Sequence, residues 1–497
     1  MYLPLDHDSP EPLYRQVRRQ LQNAISAGDF GGRRLPSSRE LAASLGVSRN
    51  TVNLAYQELV ADGYVTAEPR SGMVVNPELV TRLARADDPG GAPPRPRPAW
   101  LRELAARPPR DAYPHIAKPA DWQRYRYRFV NGHLPFETFP TTAWLRCLRT
   151  ALTAEHRAAS LQDSQDADDP LLVRALCRDV LPARGIATTP ERVLVTSGSQ
   201  QGMYLLATAL VAPGARVAVE DPGYPDARHI LARAGAELVG LPVDRWGVVL
   251  DPWPDDIAMA VVTPSHQYPT NATLSAPRRG RLLDLATAYG FPVVEDDYDG
   301  ELRYVGRSTP ALASADPAAV VYLGSFAKFL APGLRLGYLV GEPELIVYLR
   351  DLRRYMVRHP PGHLQRALAL LIGSGEYRRW VRTLRTLLRE RWLAARQAVD
   401  RHLPGWRYDP AAGGISLWLR APAGLDTRLL AKRAAAAGVL IETGEASFLS
   451  DASGSSGLPG EGMYDSVRLG FTAIRTADID PGIAALAAEA RALLSGR

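Results

Sequence analysis

The sequence predicts a multidomain α/β protein: a small helical module carrying a β-hairpin, a spacer, and a large doubly wound domain. Three observations predict it. The first 76 residues hold three helical stretches and then two short β-branched runs about a turn. Residues 77–110 lose periodicity and fill with proline, glycine and charge. From residue 129 onward, short apolar runs alternate with helical patterns, the signature of a mainly parallel sheet. A length of 497 residues calls for two or three domains. We divide the chain into 1–76, a linker over 77–112, and a large domain over 113–497.

In the first domain, Leu13, Val17, Leu21 and Ile25 recur at four-residue spacing and define one helix face, ended by Gly28. Ser37 or Ser38 then caps SSRELAASL, with Glu40 placed for a capping box. Gly46 breaks the chain, and Ser48 caps a third helix that Gly63 stops. Tyr64-Val65-Thr66 and Met73-Val74-Val75 read as strands around the turn Pro69-Arg70-Ser71-Gly72. Two short helices around LGVS followed by a hairpin make a winged helix-turn-helix. Its third helix opens with Ser48, Arg49, Asn50 and Thr51, hydrogen-bonding side chains at the end that enters a major groove. Arg39 is placed to reach phosphate, and the tip Arg70-Ser71-Gly72 to approach the minor groove or backbone.

Composition bounds the rest. The net charge is +6, yet residues 1–76 balance eight arginines against eight acids. The excess sits in 77–128, with eleven basic residues against six acidic, so it belongs mostly to the linker. A basic linker can help hold a polyanion, or it can be a solvated spacer. No apolar run reaches the ~18 residues of a membrane span. The start, MYLPLDHDSP, has no signal-peptide pattern, and Cys147 and Cys177 form no spaced motif, so a cytoplasmic location is expected.

In the large domain the strand-like runs are Val193–Val195, Arg216–Val219, Met259–Val262, Val293-Val294 and Val320–Leu323. Candidate site residues follow them, as expected of ligands at strand ends of open α/β sheets. After the first comes Thr196-Ser197-Gly198-Ser199-Gln200, a turn opening a helix, which can offer backbone N–H groups to a phosphate or simply cap. After the second, Tyr224 stands on a rigid turn, to stack on a ring or to pack. His266 follows the third; with no ligand cluster near it, a structural or site-lining role outranks a metal, and no metal is expected. After Val294 come Glu295, Asp296, Asp297 and Asp299, acids that repel one another unless a cation joins them. From about residue 341 a smaller α+β portion follows, with Gly414–Leu419 as a strand.

Lysine is scarce: only Lys118, Lys328 and Lys432. Lys118 sits in the Pro/Arg-rich stretch, and Lys432 in an alanine-rich helical pattern. Lys328 lies just past the run Val320–Leu323, beside Ser325 and seven residues before Arg335. An amine that can condense with an aldehyde, near a hydroxyl and a guanidinium that can hold a phosphate, suits pyridoxal phosphate. The stretch alone also allows a surface lysine.

LPSSRELAASLGVSRNTVNLAYQELVADGYV resembles the GntR family of DNA-binding domains, and EDDYDGELRY with GSFAKFLAPGLRLGY resembles fold-type I aminotransferases. Together the chain resembles the MocR-type transcriptional regulators, which include GabR-like and PdxR-like proteins. The resemblance implies a Schiff base between Lys328 and the cofactor, Asp296 on the pyridine nitrogen, Tyr298 on the phenolic oxygen and Tyr224 on the ring. It implies Ser199, Gln200, Ser325 and Arg335 on the phosphate, and Arg468 on the carboxylate of an amine or amino-acid effector that would form an external aldimine. A head-to-tail, domain-swapped homodimer on a double-stranded DNA operator is implied as well. Arg358-His359 and Gln365-Arg366 resemble a subgroup linked to amine or compatible-solute breakdown.

Three departures stand out. Ala327 replaces the usual hydroxyl before the lysine, 163–168 lacks the usual tyrosine and glycines, and Asn271 replaces a glycine. They leave two alternatives open: a working aminotransferase, or a PdxR-like regulator sensing pyridoxal phosphate itself. The loop 453–462, SGSSGLPGEG, is a candidate lid just before Arg468.

Overall fold

The computed structural model describes residues 4–6, 9–30, 34–68, 72–76, 99–105, 118–130, 134–135, 138–164, 167–409, 411–449 and 463–496. The hairpin-tip residues Arg70 and Ser71, the candidate lid 453–462 and most of the stretch read as a linker lie outside the described residues. The chain forms two compact units, Met1–Pro109 and Arg110–Arg497.

In the first unit, α1 spans Leu13–Ser26, α2 Ser38–Leu45 and α3 Arg49–Ala61, with an antiparallel hairpin of β1, Val65–Glu68, and β2, Gly72–Val75. Val17, Leu21 and Ile25 of α1 pack with Leu41, Val52, Ala55, Tyr56 and Leu59 in one small core. The cap of α2 is Ser37: its Oγ accepts from the Glu40 N–H at 3.3 Å, and Glu40 Oε2 accepts from the Ser37 N–H at 2.8 Å. Ser48 caps α3 by accepting from the Thr51 N–H at 3.1 Å. Tyr56 OH donates to Pro36 O at 2.6 Å, tying α3 to the chain that enters α2.

The second unit is built on a mainly parallel sheet. Its strands are β4 Val193–Thr196, β5 Arg216–Asp221, β6 Glu237–Asp244, β7 Gly247–Val248, β8 Ile257–Val262, β9 Val293–Asp297, β10 Val320–Ser325 and β11 Gly337–Val340, with β3, Tyr127–Arg128, preceding them. The order is β4-β11-β10-β9-β8-β5-β6-β7. β6, β5, β8, β9 and β10 run parallel, while β11 runs antiparallel between β10 and β4. Side chains alternate across the sheet. Val321 and Leu323 join one core with Met203, Leu206, Ile346 and Leu349, whereas Val320 and Tyr322 enter the other. β6 and β11 were not read from the sequence. Gly240 and Pro242 interrupt the apolar pattern of β6, and β11 is only four residues long after an irregular turn.

The C-terminal portion adds an antiparallel sheet of β12 Ser416–Arg420, β15 Ser466–Gly470 and β14 Glu442–Thr443. β13, Val439–Leu440, pairs in parallel with β3, which ties residues 127–128 into this unit. A short helix spans Ala99–Ala105. Among the described residues, no helix is long and apolar enough to cross a membrane.

Candidate functional site

The parallel strands end together, and most sequence-predicted residues of the large unit follow their C-terminal ends, while Arg468 comes from β15 of the smaller sheet. Lys328 lies in the turn after β10, half-buried. Burial pushes its ammonium below the ordinary value, and the nearby Arg468 adds to the shift, against Glu442, Asp299 and Asp296. A larger fraction of neutral amine follows, which is the nucleophilic form.

The acidic run resolves into separate jobs. Glu295 accepts from the backbone N–H groups of Leu312 and Ala313 at 2.8 and 3.0 Å. Asp297 accepts from Arg184 Nε and Tyr322 OH, each at 2.7 Å. Asp299 sits 2.9 Å from His266 Nδ1, which gives His266 a carboxylate partner. Asp296 remains: its buried Oδ1 has no hydrogen-bond partner, and burial with Asp297, Asp299 and Glu220 pushes its pKa up to about 7. The Tyr298 hydroxyl beside it also has no partner and is held well above its ordinary value by burial. A buried carboxylate and phenol left unpaired cost stability unless a ligand meets them. A ring with a protonatable nitrogen and a neighbouring oxygen fits both.

The helix Ser199–Leu210 opens behind Gly198, whose φ is 84°, a conformation that favours glycine. A Cβ there would lie 3.1 Å from the Arg335 guanidinium, so Arg335 stands directly over the helix start. Arg335 itself has φ 50° and donates from Nη2 to Ser197 O at 3.3 Å. A guanidinium over free backbone N–H groups suits a phosphate. The Gln200 side chain is drawn elsewhere: its Nε2 donates to Asp226 Oδ2 at 2.6 Å, and Tyr224 OH donates to the same oxygen at 3.0 Å. The Tyr224 ring meets Tyr268 edge-on at 5.1 Å. Ser325 ends β10, where its Oγ accepts from the Ala327 N–H at 3.2 Å. Arg468, on β15, stacks over Tyr268 at 4.3 Å, donates from Nε to Ser416 Oγ at 3.1 Å and faces Glu442 at 3.5 Å. Sequence reading missed Glu442, because only strand register brings it here.

The departures have local answers. Asn271 takes φ 61°, the conformation a glycine would hold, and its Nδ2 donates to Ser416 O at 2.8 Å. Around 163–169 the missing tyrosine and glycines are replaced by charge. Asp163 pairs with Arg358, the Ser164 N–H donates to His359 Nε2 at 3.2 Å, Asp168 pairs with Arg353 at 2.5 Å, and Asp169 with Arg366 at 2.7 Å. The Asp169 N–H donates to Gln365 Oε1 at 3.0 Å. Residues 165–166 lie outside the described residues. Arg358-His359 and Gln365-Arg366, singled out in the sequence, thus hold this loop.

In the first unit, Arg39, Ser48, Arg49 and Asn50 are exposed and Thr51 is half-buried. Ser48 Oγ and Thr51 Oγ1 share a hydrogen bond of 2.8 Å, and Arg49 Nε donates to Ser38 Oγ at 3.3 Å. Gly72 opens β2 with φ 81°, and a Cβ there would meet the Arg34 guanidinium at 2.9 Å. Arg34 was not singled out in the sequence. The Arg33-Arg34 doublet before Leu35-Pro36 was the available signal.

A winged helix-turn-helix in front of an aminotransferase-type strand-end site defines a DNA-binding regulator built on an enzyme fold. Residues 13–75 match the model of the bacterial regulatory proteins of the gntR family, and 136–451 that of aminotransferase class I and II. The chain is 40% identical to the HTH-type transcriptional regulator TauR of Rhodobacter capsulatus, over 96% of each chain. It is 34% identical to the probable rhizopine catabolism regulatory protein MocR of Rhizobium meliloti, over 88% of this chain and 87% of the other. Among solved structures it is similar to LysN, the α-aminoadipate aminotransferase of Thermus thermophilus complexed with N-(5'-phosphopyridoxyl)-L-leucine. The TM-score is 0.66 at 28% identity, covering 74% of this chain and 93% of that one. The chain belongs to the family of gntR-type transcriptional regulators whose second domain is an aminotransferase class I and II domain.

Proposed function

We propose that this regulator binds pyridoxal phosphate on Lys328 and senses an amine or amino acid there, as a cytoplasmic homodimer on a DNA operator. The observation that carries the reading is the convergence at the strand ends. A half-buried amine of lowered basicity stands in one site with an unpaired buried carboxylate and an unpaired phenol, and Arg335 lies over a helix N-terminus. The chemistry the cofactor supplies when bound is an aldehyde that condenses reversibly with primary amines.

The chain's own residues do the rest. Lys328 offers the amine. Asp296 holds a proton on the ring nitrogen, and Tyr298 donates to the ring oxygen. Arg335, the N–H groups of Ser199 and Gln200, and the Ser325 hydroxyl hold the phosphate, and Tyr224 packs beside the ring. Arg468 holds the effector's carboxylate, for which a guanidinium fork is suited. An effector held beside Lys328 and by Arg468 would favour one state of the large unit, and operator affinity would follow by linkage. Arg39, Ser48, Arg49, Asn50, Thr51 and Gly72 make the DNA contacts. The spacer 77–112 joins the two units. Support for a homodimer is the helix Pro343–Val357, which exposes Val347, Tyr348 and Tyr355 on one side.

The test is the visible absorption of full-length protein incubated with pyridoxal phosphate, with Lys328→Ala as control. A visible band that the variant lacks, shifted by an amine, is the expected result. No band in the unsubstituted protein would overturn the cofactor reading. Steady consumption of an amino donor with a 2-oxo acid would mark a working aminotransferase instead.

A further inference from the structure

Two of the residues read as cofactor contacts are tied to one acid that the reading above does not use. Asp226 stands half-buried in the first turn of the helix Pro225–Arg233. Its Oδ2 accepts from Gln200 Nε2 at 2.6 Å and from Tyr224 OH at 3.0 Å. Gln200 is the second residue of the helix Ser199–Leu210, whose start lies beneath Arg335. Among the described residues, no lysine, arginine or histidine forms an ion pair with Asp226. The length of a glutamine side chain plus that hydrogen bond puts the carboxylate roughly 8 Å from the backbone N–H groups of the helix start. The same carboxylate fixes Tyr224, which is held at its hydroxyl by Asp226 and at its ring by the edge-on contact with Tyr268.

We propose, resting on the reading that places the cofactor's phosphate between Arg335 and this helix start, that Asp226 sets how tightly the cofactor is held, through two opposed effects. Its charge opposes the phosphate dianion, and its hydrogen bond keeps Tyr224 in place beside the ring. A unit charge about 8 Å from a dianion, at a site between protein edge and water, changes affinity by about one power of ten or more. Asp226 also draws Gln200 Nε2 to itself, which leaves that residue its backbone N–H for the anion. The outcome is a weaker, more readily exchanged hold on the phosphate than Arg335 and the helix start alone would give. An acid also suits the first turn of its own helix, but a role confined to that helix would leave phosphate affinity unmoved.

The experiment uses full-length protein at low ionic strength and three probes. Pyridoxal phosphate, and pyridoxal, which lacks the phosphate, are titrated by the visible band. Inorganic phosphate is titrated by its shift of the melting temperature. Asp226→Asn removes the charge but keeps an oxygen that accepts from Tyr224. It should lower the half-saturating concentrations of pyridoxal phosphate and inorganic phosphate about tenfold, and move pyridoxal less than about twofold. Added sodium chloride should shrink the gain, since the charge is partly exposed. Asp226→Ala removes the acceptor as well. Inorganic phosphate should tighten as it does in the asparagine variant, while pyridoxal should weaken about threefold or more because Tyr224 is released.

The inference is overturned if Asp226→Asn leaves pyridoxal phosphate and inorganic phosphate unchanged or weaker, or tightens pyridoxal as much as pyridoxal phosphate. Pyridoxal binding that is unmoved in Asp226→Ala overturns the part assigned to Tyr224. A missing visible band in the unsubstituted protein defeats the cofactor reading alone, since the inorganic phosphate arm still decides on the charge of Asp226. A phosphate shift that survives Arg335→Gln defeats the phosphate-site reading and this inference with it.

Discussion

Asp296→Asn in cofactor-stripped protein should stabilise the large unit, and the gain should grow with pH. The Asp296 carboxyl is pushed from an ordinary 3.8 to about 7, by burial first and then by Asp297, Asp299 and Glu220. Between those values the folded chain holds a proton that the unfolded chain has lost, so stability falls as pH rises. At ~1.4 kcal/mol per power of ten, the full penalty above pH 7 is about 4 kcal/mol, and about 1.5 kcal/mol is already present at pH 5. Asparagine carries no charge and escapes it. Burial pushes buried Glu220 and half-buried Glu301 up to about 7 as well, so the informative quantity is the difference between variant and parent. Thermal unfolding at pH 5, 6, 7 and 8 should show that difference widening by a few kcal/mol. Added pyridoxal phosphate should stabilise the parent more than the variant, since a cation on the ring repays an ionised Asp296. A difference that stays flat with pH, or a variant less stable at pH 8, would refute the account of Asp296 as an unpaired buried acid.

Other substitutions test separate parts. Asp169→Ala removes the cap of the helix at 170–175 and leaves buried Arg366 without its carboxylate. A loss of about 3–5 kcal/mol in thermal or denaturant unfolding is expected. Asn271→Ala keeps a side chain in the left-handed region but loses the bond to Ser416 O, and should cost about 1–3 kcal/mol by the same assay. Arg49→Ala should weaken operator binding and, if its contact is to phosphate, reduce the slope of log affinity against log salt by about one. An unchanged slope with altered sequence preference would assign Arg49 to a base instead.

Much of the fold is legible in the sequence alone. Helix periodicity, caps and the Pro/Gly breaks predicted the helix-turn-helix, because those signals act within a few residues of one another. Lys328 could be singled out by scarcity and by its place after an apolar strand, and the acidic run by its own repulsion. What failed was whatever depended on pairing across long separations. β11 was missed because a four-residue antiparallel strand gains its stability from β4 and β10 rather than from its own pattern. The loop at 163–169 read as a loss of site residues. Its replacement contacts come from residues nearly two hundred positions away.

The sequence by itself determined the two kinds of domain, the strand-end positions of Lys328 and Asp296, and the family resemblance, since local pattern and residue chemistry carry all three. Only the tertiary structure decided which acid of the run 295–299 is left unpaired, that Asn271 can stand where a glycine would, and that Glu442 stands opposite Arg468. Burial and cross-strand register set those outcomes. Both arise when distant segments pack, and neither leaves a trace in the order of residues along one segment.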